Sequence, residues 1–422
     1  MITRCLERPA LATALVVVAL IVTTWGVTWS PRSIVIFMLF QGSILLLYFA
    51  RIPGLVKAAL TAITLGVLMP YLGTINAYYM EIAIQVGIFV ALALGLNIVV
   101  GLAGLLDLGY VAFFAVGAYS WAIFGSPQAN LIFGGSHFPL GPWWFFVFLF
   151  VGVAVAAVAG ILLGLPVLRL HGDYLALVTL GFGEVIRVLA NNLDKPINIT
   201  NGPKGITPIN RPPIFFAPVL QWLGLDSNPN VVYPLYLYAI VLLIVGATVL
   251  ANRRLEDSHI GRAWEAIRED QTAAQAMGIP LVRMKLLAFA CGASFAGTVG
   301  VLFSAKQILI NPESFTFMES IGVLAMIILG GMGSIPGAIL GAAVVTILNL
   351  QILKGLSLWL NELRNAGIVI FGYSLANLPT QLEPAKYERM VFGLILVLMM
   401  IFRPQGILPA KRRHRELEEE RR

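Results

Sequence analysis

Apolar runs long enough to cross a lipid bilayer recur along almost the whole chain. Charged residues make up only 12% of it, whereas soluble domains carry about 25%. Inside a bilayer every backbone polar group must be satisfied within the protein, so such runs predict membrane-spanning helices. The predicted fold class is all-α, a polytopic membrane protein of about ten to twelve transmembrane or re-entrant helices. The predicted elements lie near residues 10–29, 33–50, 55–73, 80–100, 104–124, 143–168, 173–191, 232–252, 286–305, 317–331, 335–353 and 388–403.

Composition argues against several other classes of protein. The net charge of +7 favours loops that face an anionic lipid surface over nucleic-acid binding, because the basic residues flank apolar runs. Two cysteines, Cys5 and Cys291, are too few for a disulfide framework or a metal cluster. The first apolar run lacks a small-residue cleavage site and is long enough to span, so we expect a membrane helix there and no cleavable signal peptide.

A charged island, Arg253–Lys285, separates two of the apolar runs. Its six basic residues outnumber its five acidic ones, which predicts that it lies in the cytoplasm. A helix is expected to begin around Gly261 and to end at Gly278 and Pro280. Its apolar residues fall along one stripe, which indicates a surface for docking on a soluble partner. These residues are Trp264, Ile267, Ala274 and Met277.

The distribution of Lys and Arg predicts the orientation of the chain. With the N-terminus inside, the inward segments hold twice as many basic residues as the outward ones, and Arg187 falls within a span. Both termini are therefore expected in the cytoplasm. The elements at 317–331 and 335–353 are short and glycine-broken, so a re-entrant pair is an alternative for them.

Two long connections are predicted on the outward side, at 192–231 and 354–386. The first is rich in proline and glycine, which suits a fixed surface on which another protein docks. Its candidate contact residues are Asn201, Gly202, Pro203 and Lys204. The tail at 409–422 carries mixed charges and is expected to be solvated.

A search for catalytic motifs finds none. The four histidines have no metal-ligand spacing, and the chain has no Walker A sequence and no nucleophile elbow. The glycine-rich segments 101–104 and 330–337 lie between apolar helices, where helix breaks or close helix packing fit better than a phosphate cradle. We therefore expect a transporter and not an enzyme, with no cofactor or metal bound by this chain.

Polar residues at membrane depth are the other candidates for function, because burying them is costly. Glu184 and Arg187 lie one helical turn apart, so they either neutralise each other or line a solute path. Asp107 either caps a broken helix or faces such a path. Asn97 and Asn191 are either helix-packing residues or further path residues.

The island carries a resemblance to a known family. Its Gly-Arg-Ala-Trp-Glu-Ala-Ile-Arg-Glu-Asp from Gly261, its Ala-Met-Gly-Ile and its Lys-Leu-Leu-Ala-Phe resemble the coupling loop of LivM-type permeases, which are subunits of branched-chain amino acid ABC importers. The resemblance covers about residues 80–408, and one departure is Asn201, where many relatives have a second glycine. Further matching segments are Asp173–Gly183, Thr200–Ile206, Asn311–Phe317, Leu329–Pro336 and Arg403–Gly406.

The resemblance implies an ABC-importer permease architecture in a bacterial inner membrane. Such a permease pairs with a second, similar permease and with two ATPase subunits that hydrolyse the ATP, and a periplasmic binding protein delivers the amino acid. It also implies three regions, namely an N-terminal extension at 1–78, a permease core at 79–408 and the charged tail at 409–422. The residues implied in coupling to the ATPase are Arg262, Trp264, Glu265, Ala266, Ile267, Glu269, Ala274 and Gly278.

Other functions remain open at this point. An ion-coupled secondary transporter would use Asp107 or Glu184 to titrate or to bind a cation, and it would leave the island without a role. A permease for a sugar or for another amino acid would share the architecture. A membrane-embedded enzyme would require paired catalytic acids or metal ligands.

Overall fold

The computed structural model describes most of the chain, and most of the described residues are helical. The described residues are 9–30, 33–50, 52–167, 173–214, 229–365, 369–370, 373–374, 387, 390, 393–394, 397–398, 401–402 and 406–408. Among them, extended pairing in named strands is limited to β1 (Val369–Ile370) and β2 (Tyr373–Ser374). The all-α prediction is confirmed. The tail at 409–422 and most of the element predicted at 388–403 lie outside the described residues.

The helices follow the apolar runs closely. The first half of the chain contains α1 (Pro9–Trp29), α2 (Ile34–Phe49), α3 (Gly54–Ile63), α4 (Met69–Ile75), α5 (Ala77–Leu96), α6 (Val111–Phe124), α7 (Gln128–Phe133), α8 (Trp144–Val167) and α9 (Asp173–Asn192). The second half contains α10 (Pro229–Glu256), α11 (His259–Glu269), α12 (Gln271–Ala276), α13 (Leu281–Gln307), α14 (Phe317–Gly330), α15 (Ile335–Ile347) and α16 (Lys354–Asn365). In the described part of the chain, π-helical turns extend these helices at Thr64–Leu68, Asn97–Leu102 and Leu348–Leu353.

Within the described residues, nine helical stretches are long and apolar enough to cross a membrane. Two shorter apolar helices, Val35–Phe49 and Val111–Phe124, accompany them. The predicted range of ten to twelve elements fits this set. The chain is a polytopic membrane protein.

The chain divides into two compact units. The first contains residues 1–85, 214–239 and 349–386. In it α1 packs on α2 and α4, and the ring of Phe37 stacks on Tyr79 with ring centroids 4.0 Å apart. The Tyr238 hydroxyl donates a hydrogen bond to the Leu65 carbonyl at 3.0 Å.

The second unit contains residues 86–213, 240–348 and 387–422. Its centre is α13, which packs most extensively on α8 and α6. Glycines allow these helices to approach closely, because a Cβ at Gly117 would lie 2.2 Å from the Gly297 carbonyl oxygen. Close backbone contact through small residues is the common way for membrane helices to pack.

Helix α6 begins at Val111 and not near residue 104 as predicted. Residues 103–110 are not helical, since Gly104 has a φ of +68° and the Gly109 N–H bonds to the Asp107 side chain. The segment is apolar enough to be counted with the helix that follows, which explains the wrong boundary. The α5 and α6 helices are therefore joined by a non-helical segment of the second unit.

Candidate functional site

The island folds as two short helices. The Ser258 hydroxyl caps α11 by accepting a hydrogen bond from the Gly261 N–H at 3.1 Å. Asp270 is extended, with φ −152°, and its carboxylate accepts hydrogen bonds from the N–H groups of Thr272 and Ala273 at 2.7 and 3.0 Å. The prediction of one continuous helix is wrong, because Asp270 ends α11 and caps α12. These hydrogen bonds, led by the one from the Thr272 hydroxyl, lower the pKa of the Asp270 carboxyl.

The apolar side of the island faces the chain itself. Trp264 is fully buried, and its indole Nε1 donates a hydrogen bond to the Met284 carbonyl at 2.8 Å. Ile267 and Ala274 are buried as well, whereas Met277 is 83% exposed. The expectation of one stripe that faces a soluble partner is therefore wrong: both short helices pack on α13, and three of the four residues are buried within the chain.

The polar side of the island is accessible. Arg262 and Glu269 on α11 are exposed, and so is Gly278 after α12, where φ is +85°. Glu265 and Ala266 are half-buried. Of the eight residues predicted to couple to an ATPase, Trp264, Ile267 and Ala274 thus support the island from within, and the others lie at or near its surface.

Two sets of connections gather at opposite ends of the second unit. At one end the island meets Gly101 and Gly104, where the Arg268 side chain lies, and Gly333 between α14 and α15. The Ile407 N–H also bonds to the Leu329 carbonyl there, at 2.9 Å. We call this end the island face.

The other end is formed by the connections after α6, α9 and α13. Ile206 and Ile310 form an antiparallel bridge, with the Ile206 N–H donating to the Ile310 carbonyl at 2.8 Å. The Asn210 N–H donates to the Gly125 carbonyl at 2.7 Å. We call this end the opposite face. Its members are the connections that the charge distribution predicts on the side away from the island.

Residues 198–205 of the first long connection form a tightly bonded turn at the opposite face. Asn201 has a φ of +60°, in the left-handed region. Glycine adopts this conformation freely and asparagine tolerates it, so either residue fits this position. Its side chain donates a hydrogen bond to the Gly205 carbonyl at 2.8 Å. Gly202 is buried, while Pro203 and Lys204 are exposed. The turn therefore presents Pro203 and Lys204 outward from a fixed backbone.

Glu184 and Arg187 form an ion pair with a third partner. An Arg187 guanidinium nitrogen lies 2.9 Å from a Glu184 carboxylate oxygen, and another lies 3.2 Å from Glu313. The Arg187 and Glu184 side chains are 27% and 35% exposed. Glu313 was not singled out as a membrane-depth acid, because it belongs to a distant segment; the signal was its position just before the apolar run of α14.

Glu184 of this ion pair also lines a small, partly open cavity. Glu184 and Gly183 of α9 line it together with the first residues of α6 and α14, among them Val111 and Ser320. The Val111 N–H donates a hydrogen bond to the Ser320 hydroxyl at 3.1 Å. The ion pair of Glu184 with Arg187 is therefore observed, and a role of Glu184 in a solute path stays a prediction.

Asp107 is buried in the non-helical segment before α6. One carboxylate oxygen accepts the Gly109 N–H at 2.9 Å, while the other has no protein partner among the described residues. The Leu108 N–H bonds to the Thr179 hydroxyl of α9 at 3.0 Å. Asp107 thus shapes the turn that leads into α6.

The two remaining polar candidates lie at opposite faces. Asn97 is buried in the π-helical turn at the island face, and its side-chain oxygen accepts the Gly333 N–H at 2.9 Å. Asn191 is half-buried near the end of α9, where its carbonyl lies against Gly202. The structure does not bring these two residues together with Glu184. Among the described residues no group of three or more His, Cys, Asp or Glu side chains could hold a metal ion.

Comparison with known proteins identifies the family. The family model described as "Branched-chain amino acid transport system / permease component" matches residues 78–400, more than half of the chain. The chain belongs to this family. The match starts at α5, so α1–α4 of this permease precede the shared region. No solved structure shows significant similarity to the chain.

Curated relatives of the permease extend the match. The "High-affinity branched-chain amino acid transport system permease protein LivM" of Salmonella typhimurium is 40% identical over 343 residues, covering 79% of this chain and 70% of the relative. The Escherichia coli LivM is 38% identical over 361 residues, covering 83% and 74%. A second permease type, LivH of Salmonella typhimurium, is 30% identical over 189 residues, covering 44% and 52%.

Proposed function

We propose that this chain is the transmembrane permease subunit of an ATP-driven importer that moves branched-chain, hydrophobic amino acids into the cytoplasm. The observation that carries the proposal is the 38–40% identity to two LivM permeases over most of the chain. The polytopic helical fold agrees with this role. The lesser similarity to LivH supports a pair of related permeases, with this chain as one member.

The island is the docking surface for an ATPase subunit in this proposal, which places the island face in the cytoplasm. Three features support it: the basic excess of the island, its folding into two capped helices, and the exposure of its polar side. Arg262, Glu269 and Met277 are the contact residues that we assign. The buried side chains of Trp264, Ile267 and Ala274 support this surface from within the chain.

The opposite face then lies on the periplasmic side and receives a binding protein. Pro203 and Lys204 are exposed there on a turn whose backbone is fixed by hydrogen bonds, so the backbone loses little conformational entropy when a partner binds. The solute path passes the cavity beside Glu184, where the first turns of α6 and α14 meet.

Uptake by reconstituted vesicles tests the proposal. Vesicles holding the permease pair and the ATPase subunits should accumulate radiolabelled leucine only when ATP and a loaded binding protein are both supplied. Accumulation driven by an ion gradient without ATP would instead support a secondary transporter. Competition by unlabelled isoleucine, valine and a sugar then defines the substrate class.

A further inference from the structure

One side chain of the island reaches away from it into the membrane helices. Arg268 lies in the last turn of α11 and is half-buried. Its guanidinium donates a hydrogen bond to the Gly101 carbonyl, in the π-helical turn that ends α5. A cation is favoured at this position, because helix C-termini carry unsatisfied carbonyls and a partial negative charge.

Glycines make room for Arg268 on two sides. A Cβ at Gly104 would lie 2.7 Å from the Arg268 Cγ, and a Cβ at Gly333 would lie 3.0 Å from its Nη1. The Gly333 N–H in turn bonds to Asn97 in the same π-helical turn. One guanidinium therefore lies where α11, the end of α5 and the α14–α15 turn meet. The glycine-rich segments 101–104 and 330–337 thus form the surroundings of this arginine.

Both segments around Arg268 lead to the cavity beside Glu184. From Gly101 the chain continues through 103–110 into α6, and Leu108 and Val111 line the cavity. From the α14–α15 turn, α14 runs back to Ser320 at its first turn, which lines the same cavity. Trp264, by contrast, donates its hydrogen bond to the Met284 carbonyl of α13, which directly continues the island.

We propose that Arg268 is a positioning residue that links the island to the two helices bordering the cavity, so that a movement imposed on the island changes the solute path. The inference rests on the proposed function, in which an ATPase subunit moves the island. A guanidinium suits this link, because its planar fork offers several donors in a fixed geometry. Without the Arg268 guanidinium, ATP hydrolysis continues, but a movement of the island no longer moves α6 and α14.

The test compares uptake with ATP hydrolysis in the same reconstituted complex. Arg268→Met removes the charge and the donors, Arg268→Gln keeps a donor only, and Arg268→Lys keeps a charge and donors without the fork. We expect Arg268→Met to retain ATP hydrolysis and to show about tenfold lower uptake per ATP, a typical size for coupling between sites. The Gln and Lys variants should fall between it and the wild type, with Lys closer to the wild type.

Lys354→Met is the control, since Lys354 is an exposed cation at the start of α16, outside the island, and its replacement should leave uptake per ATP unchanged. Unchanged uptake per ATP in the assembled Arg268→Met complex overturns the proposal. If none of the three Arg268 variants assembles, Arg268 has a structural role and the proposal is wrong. A wild-type complex without ATP-dependent uptake refutes the proposed function itself, independently of the variants.

Discussion

Arg187 pairs with two carboxylates, so its removal affects stability more than the removal of either carboxylate alone. It bonds to both Glu184 and Glu313, so removing it leaves two carboxylates close together without a cation, whereas removing Glu184 leaves Arg187 paired with Glu313. We therefore expect Arg187→Met to lower the thermal midpoint of the detergent-solubilised protein more than Glu184→Gln does. Because both side chains are about one-third exposed, the Glu184→Gln effect should stay within about 1 kcal/mol. An equal, large loss in both variants would contradict this ranking.

The position of the ion pair beside the cavity adds a functional expectation. In the proposed function the Glu184→Gln protein should assemble normally, and its uptake should fall because the polar lining of the solute path has changed. The measurement is uptake per assembled complex. Normal uptake would leave the pair a structural role only.

The capping role of the Asp270 carboxylate at the start of α12 can be tested by substitution. Its folded-state pKa is lowered by hydrogen bonds at the start of α12, so its stabilising contribution is present above the unfolded pKa and is lost as pH falls through the folded one. The cap is thus complete at neutral pH. We expect Asp270→Ala to weaken ATPase binding measured by co-purification, and Asp270→Asn, which keeps an N-cap oxygen, to weaken it less. Equal weakening by both would contradict a capping role.

Among the elements, α13 depends most on small residues. A Cβ at Gly297 would lie 2.3 Å from the Gly152 carbonyl oxygen and 2.4 Å from the Ala156 Cβ. Gly297→Val should therefore separate α13 from α8 and reduce the amount of monodisperse protein in size-exclusion chromatography, with a cost of about 1–3 kcal/mol or more. Gly246→Val on α10 is the control, because nothing lies within 4 Å of its added Cβ. Normal yield of the Gly297 variant would show that the two helices are not in close contact.

The exposure of residues in the island predicts which of them can contact an ATPase subunit. A thiol-directed cross-linker at Met277→Cys should capture an ATPase subunit in the assembled importer, because this position is 83% exposed. Ala274 lies three residues earlier, within α12, and is 3% exposed, so Ala274→Cys should give no product. Capture from the buried position would mean that the island unfolds from α13 when the ATPase binds.

Helix positions were largely predictable from the sequence, and contacts were not. Helices α8, α9 and α13 lie close to their predicted bounds, because apolar run length determines where a chain crosses a bilayer. The start of α6 was wrong, since an apolar non-helical segment has the same hydropathy as a helix. Trp264 and Ile267 were assigned to a partner surface, because an apolar stripe does not reveal whether it packs on its own chain. Glu313 was missed because its ion pair joins distant segments.

The separation of the island face from the opposite face predicts that the two faces lie on different sides of the membrane. Residues 101–104 and 333 lie beside Arg268 at the island face, whereas residues 206 and 310 pair at the opposite face. Successive connections therefore alternate between the two faces, as the distribution of Lys and Arg predicts. In a chain whose two cysteines are replaced by serine, an impermeant thiol reagent should label Lys204→Cys in cells with a permeabilised outer membrane. Met277→Cys should be labelled only after the inner membrane is opened. If only Met277→Cys were labelled before the inner membrane is opened, the chain would have the reverse orientation, with the two faces still on opposite sides of the membrane. Labelling of both cysteines from one side would show that the two faces are not separated by the membrane.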